Sequence, residues 1–299
     1  MFELPKYGAI DIGSNAVRLL IAHVSPFNGD FQIKKESLIR VPVRLGEDAF
    51  FHQGITPERE ARLIHTLQAY NHLIKAHGLV AYKACATAAL REAQNGPEII
   101  EKIKQKAGIK IDLITGAQEA QLIAANLATI FPLARRNYLF IDLGGGSTEL
   151  SICKSGIITQ SQSFKLGTLK ILHNQDNSAE WNAMKLWIES NALPLKNLRV
   201  VGTGGNINKL SKIFGKRENT PVPISFLHQM LHLFSTLSVE ERIEIYNLNP
   251  SRADVIIPAL NVFITILNEL KSTKILVPRV GLVDAIVRDL HITRLNKKA

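Results

Sequence analysis

The chain has 299 residues, of which 46% are hydrophobic and 21% charged, enough to bury a substantial core and to form about two domains. Its two cysteines are too few for a disulfide framework and too isolated for a metal site. The N-terminus lacks the pattern of a secretion signal, and no run approaches the roughly 20 uncharged apolar residues of a membrane span. We therefore expect a cytoplasmic protein without a membrane partner.

The net charge of +10 favours polyanionic partners, although a solvated surface with excess lysine explains the charge equally well. The basic residues are spread along the chain, and the sequence contains neither a zinc-finger pattern nor an aromatic single-strand motif. The spread of the basic residues and the lack of such motifs therefore disfavour nucleic acid as a specific partner, which only the charge suggests.

Two segments of the chain repeat one plan: an apolar strand, Asp, an apolar residue, Gly, a small-residue turn and a second apolar strand. They are AIDIGSNAVRLLIAHV (9–24) and FIDLGGGSTELSICKSG (140–156). A third predicted strand follows each one, at 31–41 and at 157–166. The repeat predicts two domains of related design, each starting with three antiparallel strands.

Helices and strands alternate after both repeats. The patterns predict, in order, a helix at 56–78, a strand and short helix within 80–96, a helix at 97–107, a strand at 109–114, helices near 116–130, 179–191, 205–214, 223–246 and 252–271, a strand at 274–278 and a last helix near 281–293. This alternation indicates an α/β fold with mixed sheets covered by helices.

No Pro/Ser-rich linker separates the two halves, so we place a short hinge near 124–136. The predicted domains are 1–124 and 125–286, and the C-terminal helix at about 287–299 is expected to join the first domain. A cleft between two such domains is a preferred place for a ligand.

The turn DLGGGSTE combines glycines with carboxylates. Its backbone N–H groups can converge on a phosphate, which Asp142 and Glu149 would repel unless a divalent cation or an ordered water lay between them. The donors are those of Gly144, Gly145, Gly146 and Ser147. A hairpin turn with two solvated acids explains a single copy equally well. The first repeat carries the corresponding residues Asp11, Gly13, Ser14 and Asn15. The second copy favours a two-sided phosphate clamp.

A third glycine turn, in RVVGTGGNINKLSKIFGKR (199–217), leads from a strand into a helix. Helix N-termini attract anions, so Gly204 and Gly205 are candidate phosphate-binding residues. The helix then carries a basic face, although lysines on a helix surface are often merely solvated. The predicted polyanion track consists of Lys209, Lys212, Lys216 and Arg217.

Glu119 lies in the first turn of the helix at 116–130, near the predicted hinge. Thr115 and Gln118 have the T-x-x-Q spacing of a capping box, which occupies Gln118 and leaves Glu119 available. Glu119 is a candidate general base, or it only stabilises the helix dipole.

Together these segments resemble the exopolyphosphatase and guanosine pentaphosphate phosphatase family in its short two-domain form. The motifs that carry the resemblance are AIDIGSNAVRLLIA, VPVRLGEDAF, ATAALREAQNG, ITGAQEAQLI, FIDLGGGSTELSI, FKLGTLKI, VVGTGGNINKL and SRADVIIPAL. The resemblance implies two actin-like (ribonuclease H-like) ATPase domains with an inter-domain cleft, within the superfamily of actin, sugar kinases and heat-shock chaperones.

The resemblance also implies residue roles. Glu119 would be the catalytic base, and Arg91 would neutralise the transferred phosphoryl group. The magnesium (or manganese) ligands would be Asp11, Asp142 and Glu149. The terminal phosphates would bind Ser14, Asn15, Gly144, Gly145, Gly146 and Ser147. The chain departs from the family at Gln118, where a second acid is common, and at Val283 in GLVDAI (281–286), where an arginine is lost.

We therefore expect an exopolyphosphatase that releases the terminal phosphate of inorganic polyphosphate by Glu-activated water. Guanosine pentaphosphate is the alternative substrate. An ATP-dependent kinase, a non-catalytic nucleotide switch and a nucleic-acid binder are weaker alternatives, and the sequence leaves a homodimer open.

Overall fold

The computed structural model describes residues 4–27, 30–52, 54–131, 136–173, 177–215 and 220–297. The chain divides into two compact units, Met1–Thr115 with Leu282–Ala299, and Gly116–Gly281. The first boundary precedes the helix that starts at Gly116, because this helix packs on the sheet of the second unit. The sequence analysis placed the boundary after residue 124. The C-terminal addition to the first unit starts at Leu282 instead of about residue 287.

The first unit begins with the predicted three-stranded antiparallel meander. Its elements are β1 (Lys6–Ile12), β2 (Val17–Phe27), β3 (Asp30–Val41), α1 (Leu45–Phe51), α2 (Pro57–Ala76), β4 (Ala81–Ala86), α3 (Ala88–Glu92), α4 (Gly96–Ala107) and β5 (Ile111–Leu113). The sheet order is β3-β2-β1-β4-β5, with β4 parallel to β1 and β5 parallel to β4. Apolar residues of α2 and α4, such as Leu63 and Ile103, are fully buried in the core of this unit.

The second unit repeats the order of the first four strands of the first unit. Its elements are α5 (Gly116–Leu127), β6 (Asn137–Leu143), β7 (Thr148–Lys154), β8 (Ile157–Phe164), α6 (Thr168–Leu172), α7 (Ser178–Asn191), β9 (Leu198–Thr203), α8 (Gly205–Ile213), β10 (Val222–Pro223), α9 (Ile224–Thr236), α10 (Val239–Tyr246), α11 (Pro250–Ala253), α12 (Ile256–Glu269) and β11 (Lys274–Ile275). The sheet order is β8-β7-β6-β9, with β7 antiparallel to both β6 and β8, and β9 parallel to β6. Two units with one strand order give the predicted actin-like α/β fold.

The helix predicted at 223–246 is two helices, α9 and α10. Ser238 starts the second one through a complete capping box, in which its Oγ accepts from Glu241 N at 3.1 Å and its own N donates to Glu241 Oε2 at 2.7 Å. The strand predicted at 274–278 is shorter, since β11 covers only Lys274–Ile275.

The stretch Pro250–Glu269 is the one helix among the described residues that is long and apolar enough to cross a membrane, with a mean hydropathy of 1.3. Two thirds of that window (67%) is buried within the protein. Phe263 and Leu267 of α12 are fully buried in the core of the second unit. This burial is that of a core helix in a globular domain.

The last helix, α13 (Leu282–Asn296), packs on β1, β2 and β4 of the first unit. His291 Nδ1 lies 3.0 Å from the Tyr7 hydroxyl, and Lys83 Nζ donates to Asp289 Oδ2 at 3.3 Å. These contacts explain why the C-terminus belongs to the first unit although it follows the second in the chain.

Candidate active site

Three carboxylates converge in the second unit. Glu119 lies in the first turn of α5, Asp142 near the end of β6 and Glu149 near the start of β7. Each offers a ligand oxygen, and these oxygens lie within 4.8 Å of one another. Glu119 is only 9% exposed and Glu149 only 2%. Like charges this close and this buried repel one another unless a cation or a proton lies between them. Carboxylate oxygens are the ligands that hard divalent cations prefer, so the cluster, which contains the predicted metal ligands Asp142 and Glu149 but not Asp11, suits such a cation.

Hydroxyl groups from the two neighbouring strands orient the acids. Glu149 faces Ser163 in the β7–β8 register, and Ser163 Oγ donates to Glu149 Oε1 at 2.8 Å. Asp142 is paired with Thr203 between the parallel strands β6 and β9, and Thr203 Oγ1 donates to Asp142 Oδ1 at 2.5 Å. The sequence analysis named neither hydroxyl. The signal that would identify them is their position opposite the acids on the neighbouring strands β8 and β9, and reading it requires the strand register.

A close contact at Gly116 brings Glu119 to the other two acids. A Cβ added to Gly116 would lie 2.6 Å from Ser163 Cβ and 3.6 Å from Glu149 Oε1. Glycine therefore lets the first turn of α5 lie directly on β8. A small recess adjoins the acids; it is lined by Ala120, Ile123, Ala124, Phe140, Asp142, Glu149 and Ser151.

The glycine turn between β6 and β7 is held by its own hydrogen bond and by α6. Gly144 N donates to Ser147 O at 3.0 Å, so the binding of a phosphate by this N–H stays a prediction that the hydrogen bond disfavours. Thr168 N donates to Gly144 O at 3.1 Å, and Leu169 N donates to Gly145 O at 2.9 Å. In a trans peptide the C=O and the following N–H point in opposite directions, so the N–H groups of Gly145 and Gly146 point away from α6. These two amides are the phosphate donors that the geometry supports.

The loop of the first unit has the same turn. Gly13 N donates to Ala16 O at 3.2 Å, and Gly46 N, in the first turn of α1, donates to Ser14 O at 2.8 Å. Arg44 N donates to Asn15 O at 3.1 Å. By the same peptide geometry, the N–H groups of Asn15 and Ala16 point away from α1.

Asp11 differs from Asp142 in its partner. It is 5% exposed and pairs with the guanidinium of Arg18, which faces it in the β1–β2 register. At the equivalent place the second unit has Glu149. An arginine neutralises Asp11 within its own unit, so its role as a metal ligand stays a prediction that this ion pair disfavours.

Arg91, the predicted phosphoryl-neutralising residue, lies on α3. Its Nη1 donates to Ile114 O at 2.8 Å, which anchors the guanidinium beside the chain segment that leads to α5. A guanidinium has five N–H donors, so one such anchor leaves capacity for an anion.

The third glycine turn, between β9 and α8, lies beside the glycine turn between β6 and β7. Gly204 has φ 114°, and a Cβ there would lie 2.5 Å from Leu143 O. Beyond it, a Cβ on Gly205 would lie 3.1 Å from Arg252 Nη2. Arg252 therefore lies at the N-terminus of α8. Sequence reasoning did not assign it to this position because it follows Gly205 by 47 residues.

Lys209 and Lys212 belong to the same positive cluster as Arg252. Burial, and then the charges of Arg252 and Lys212, lower the pKa of Lys209, whose Nζ also donates to Asn247 O at 3.0 Å. The predicted track residues Lys216 and Arg217 lie outside the described residues.

Residues 32–291 match the Ppx/GppA phosphatase family. The chain is 29% identical over 278 residues to a bifunctional 3-dehydroquinate synthase/phosphatase of Fusobacterium nucleatum, covering 83% of this chain and 41% of that protein. It is 27% identical to exopolyphosphatase 2 of Mycobacterium tuberculosis, covering 85% and 87% of the two chains. It spans less than half of several relatives, such as 42% of exopolyphosphatase 1 of Mycobacterium leprae.

Two solved structures share the fold over nearly the whole chain. A Ppx/GppA family member of Aquifex aeolicus has a TM-score of 0.77 at 23% identity, covering 98% of this chain and 99% of that chain. An exopolyphosphatase from Cytophaga hutchinsonii has a TM-score of 0.82 at 22% identity, covering 96% and 98%. At these identities the likeness concerns the fold.

Proposed function

Because the chain belongs to the Ppx/GppA phosphatase family, we propose that it is an exopolyphosphatase that hydrolyses the terminal phosphate of inorganic polyphosphate. The observation that carries the proposal is the convergence of the carboxylates of Glu119, Asp142 and Glu149 beside a glycine turn. Such a cluster suits phosphoryl transfer, which depends on positioning and on charge stabilisation more than on covalent catalysis.

Asp142 and Glu149 would hold a divalent cation, Mg²⁺ or Mn²⁺. Ser163 and Thr203 donate to these two carboxylates and so fix the orientation of both groups. A bound divalent cation supplies charge neutralisation, so that a polyphosphate can approach two carboxylates.

Glu119 would take the proton from the attacking water. It belongs to a rigid helix that Gly116 seats directly on β8, and it is 9% exposed, which keeps the carboxylate in a defined place. The amides of Gly145 and Gly146 would bind the terminal phosphate, and Arg91 would neutralise the transferred group. The contribution of Ser14 and Asn15, and the predicted inter-domain cleft, stay predictions.

The substrate assignment rests on the positive cluster of Lys209, Lys212 and Arg252 at α8. A terminal hydrolase gains binding energy from phosphates remote from the reacting one, so a cationic surface beyond the glycine turn favours a chain-like substrate. Guanosine pentaphosphate is the rival, since the chain is also 30% identical over 180 residues to a guanosine-5'-triphosphate,3'-diphosphate pyrophosphatase of Vibrio campbellii. We propose a cytoplasmic location for this activity.

One assay tests the proposal: phosphate release from polyphosphate and from guanosine pentaphosphate, side by side, with magnesium varied. We expect release that requires magnesium and is more efficient with polyphosphate. Efficient release from the nucleotide alone refutes the substrate assignment, and no release from either substrate refutes the hydrolase.

A further inference from the structure

The phosphate loop of the first unit is held by a turn with an unusual residue in it. Arg44, the N-cap of α1, has φ 57° and ψ 43°, in the left-handed region that residues other than glycine rarely adopt. Its N–H binds Asn15 O, and two residues later the N–H of Gly46 binds Ser14 O. The conformation of Arg44 therefore sets the direction of two peptides of the loop.

Arg59, in the first turn of α2, binds this turn with its guanidinium. Nη1 donates to Arg44 O at 3.1 Å and to Asp48 Oδ1 at 2.6 Å, while Nη2 pairs with Glu47. All three acceptors belong to the segment 44–48. The planar fork of an arginine can satisfy three such acceptors together, which the single ammonium of a lysine cannot do with the same geometry.

Asp48 fastens the same segment to the start of α2. It is 5% exposed, and its Oδ2 accepts from Thr56 N at 2.8 Å and from Thr56 Oγ1 at 2.6 Å. Among the described residues, the side-chain hydrogen bonds of Arg59 and Asp48 therefore involve only the left-handed turn and the helix ends beside it.

The second unit lacks the left-handed residue at the equivalent place. There the N-cap of α6 is Gly167, with φ −94° and ψ 156°, and the Leu169 N–H binds Gly145 O as the Gly46 N–H binds Ser14 O. The second loop is held in place by the close approach of a glycine, whereas the first is held in place by a guanidinium network.

We propose that Arg59 is a positioning residue: it holds Arg44 in the left-handed conformation and thereby keeps the amides of Asn15 and Ala16 directed at a bound phosphate. The inference rests on the proposed phosphate-binding role of this loop. Arg59 acts through the backbone of Arg44, with its own side chain bound to the segment 44–48.

Amide hydrogen exchange tests the structural step without any substrate. In Arg59→Ala the Gly46 amide should lose protection by at least about tenfold, because hydrogen bonds from a charged donor that hold the turn are lost. Arg62→Ala removes an exposed guanidinium from the same helix and should leave this amide protected. Unchanged protection of Gly46 in Arg59→Ala overturns the proposal.

A second substitution separates positioning from general stabilisation of α2. We expect Arg59→Ala to lower kcat as well, because the loop amides are then no longer held towards the phosphate. Glycine adopts the left-handed conformation without support, so adding Arg44→Gly to Arg59→Ala should restore both kcat and the protection of Gly46. If the glycine restores neither, Arg59 acts otherwise and the proposal is wrong. A wild-type protein that releases phosphate from neither substrate refutes the proposed function, while the exchange comparison still decides the role of Arg59.

Discussion

Arg18 and Glu149 occupy equivalent places in the two repeats, each opposite an aspartate on the neighbouring strand. In the first unit the resulting pair, Asp11 with Arg18, is neutral as a whole. In the second, Asp142 and Glu149 form a like-charge pair that Glu119 joins. The residue at this one position therefore decides the charge of the pair. Arginine neutralises the aspartate of the first repeat, whereas glutamate creates a negative pair in the second repeat that a cation would stabilise.

Glu119→Gln should abolish phosphate release, because it removes the base but keeps the size and polarity of the side chain. The expected loss in kcat is at least about 10²- to 10⁴-fold, typical of general-base removal. Steady-state kinetics on polyphosphate measure it, with Gln121→Ala, an exposed change on the same helix, as the control. Near-normal turnover of Glu119→Gln would contradict the assignment.

Asp142→Asn and Glu149→Gln should abolish the stabilisation of the protein by magnesium. A ligand that binds only the folded state raises the melting temperature, so wild type should melt higher with magnesium than with chelator, and both variants should melt alike in the two conditions. In chelator, Glu149→Gln should be at least as stable as wild type, since it relieves like-charge repulsion. Calorimetric scans measure all of these, and persistent activity of wild type in excess chelator would rule out the metal site.

At the scale of elements, the two short helices α1 and α6 have the same role in their units. Each follows the third strand of its meander, and the N–H groups of its first turn bind carbonyl groups of the phosphate loop. The sequence analysis did not predict either helix; they have only seven and five residues.

Gly167→Ala should dislodge α6 from the loop that it holds. The added Cβ would lie 2.2 Å from Gly146 C and 2.3 Å from Gly145 O, which are backbone atoms that cannot move without displacing the turn. We expect a destabilisation of about 1–3 kcal/mol, the usual range for overpacking, together with loss of phosphate release.

Gly281→Ala is the matched control for that substitution, because a Cβ at Gly281 meets no atom within 4 Å. Thermal unfolding and kinetics of the two variants should differ clearly. Equal behaviour would show that the contact between α6 and the glycine turn is not required.

At the scale of the whole molecule, the net charge is +10, and part of this positive charge is clustered at α8. Burial, and then repulsion by the charges of Arg252 and Lys212, lower the pKa of Lys209. A polyanion bound there would relieve the repulsion, so the cluster gains more from binding than an equal number of separate lysines would.

Replacing Lys209 and Lys212 by Gln should weaken the binding of long-chain polyphosphate more than the turnover of a very short chain. Replacing the exposed Lys110 and Lys196 by Gln changes the net charge equally and should have a much smaller effect. Affinity for long chains should also fall steeply with added salt, which screens these contacts. Equal losses in both double variants would show that overall charge, and not the α8 cluster, attracts the substrate.

The sequence by itself determined the α/β alternation, the two repeats, most helix positions and the three acids, because strand period, capping residues and glycine turns are local signals. Local signals also explain the errors: the capping box at Ser238 interrupts a helix that periodicity alone extends from 223 to 246.

Only the tertiary structure decided which residues share the site. Glu119 reaches Asp142 because α5 packs on β8, and Ser163 and Thr203 reach the acids through the β7–β8 and β6–β9 registers. Arg252 reaches Gly205 across a separation that no periodicity spans. Contacts of this kind depend on the pairing of strands and helices distant in the chain, and that pairing is set by packing of the whole unit.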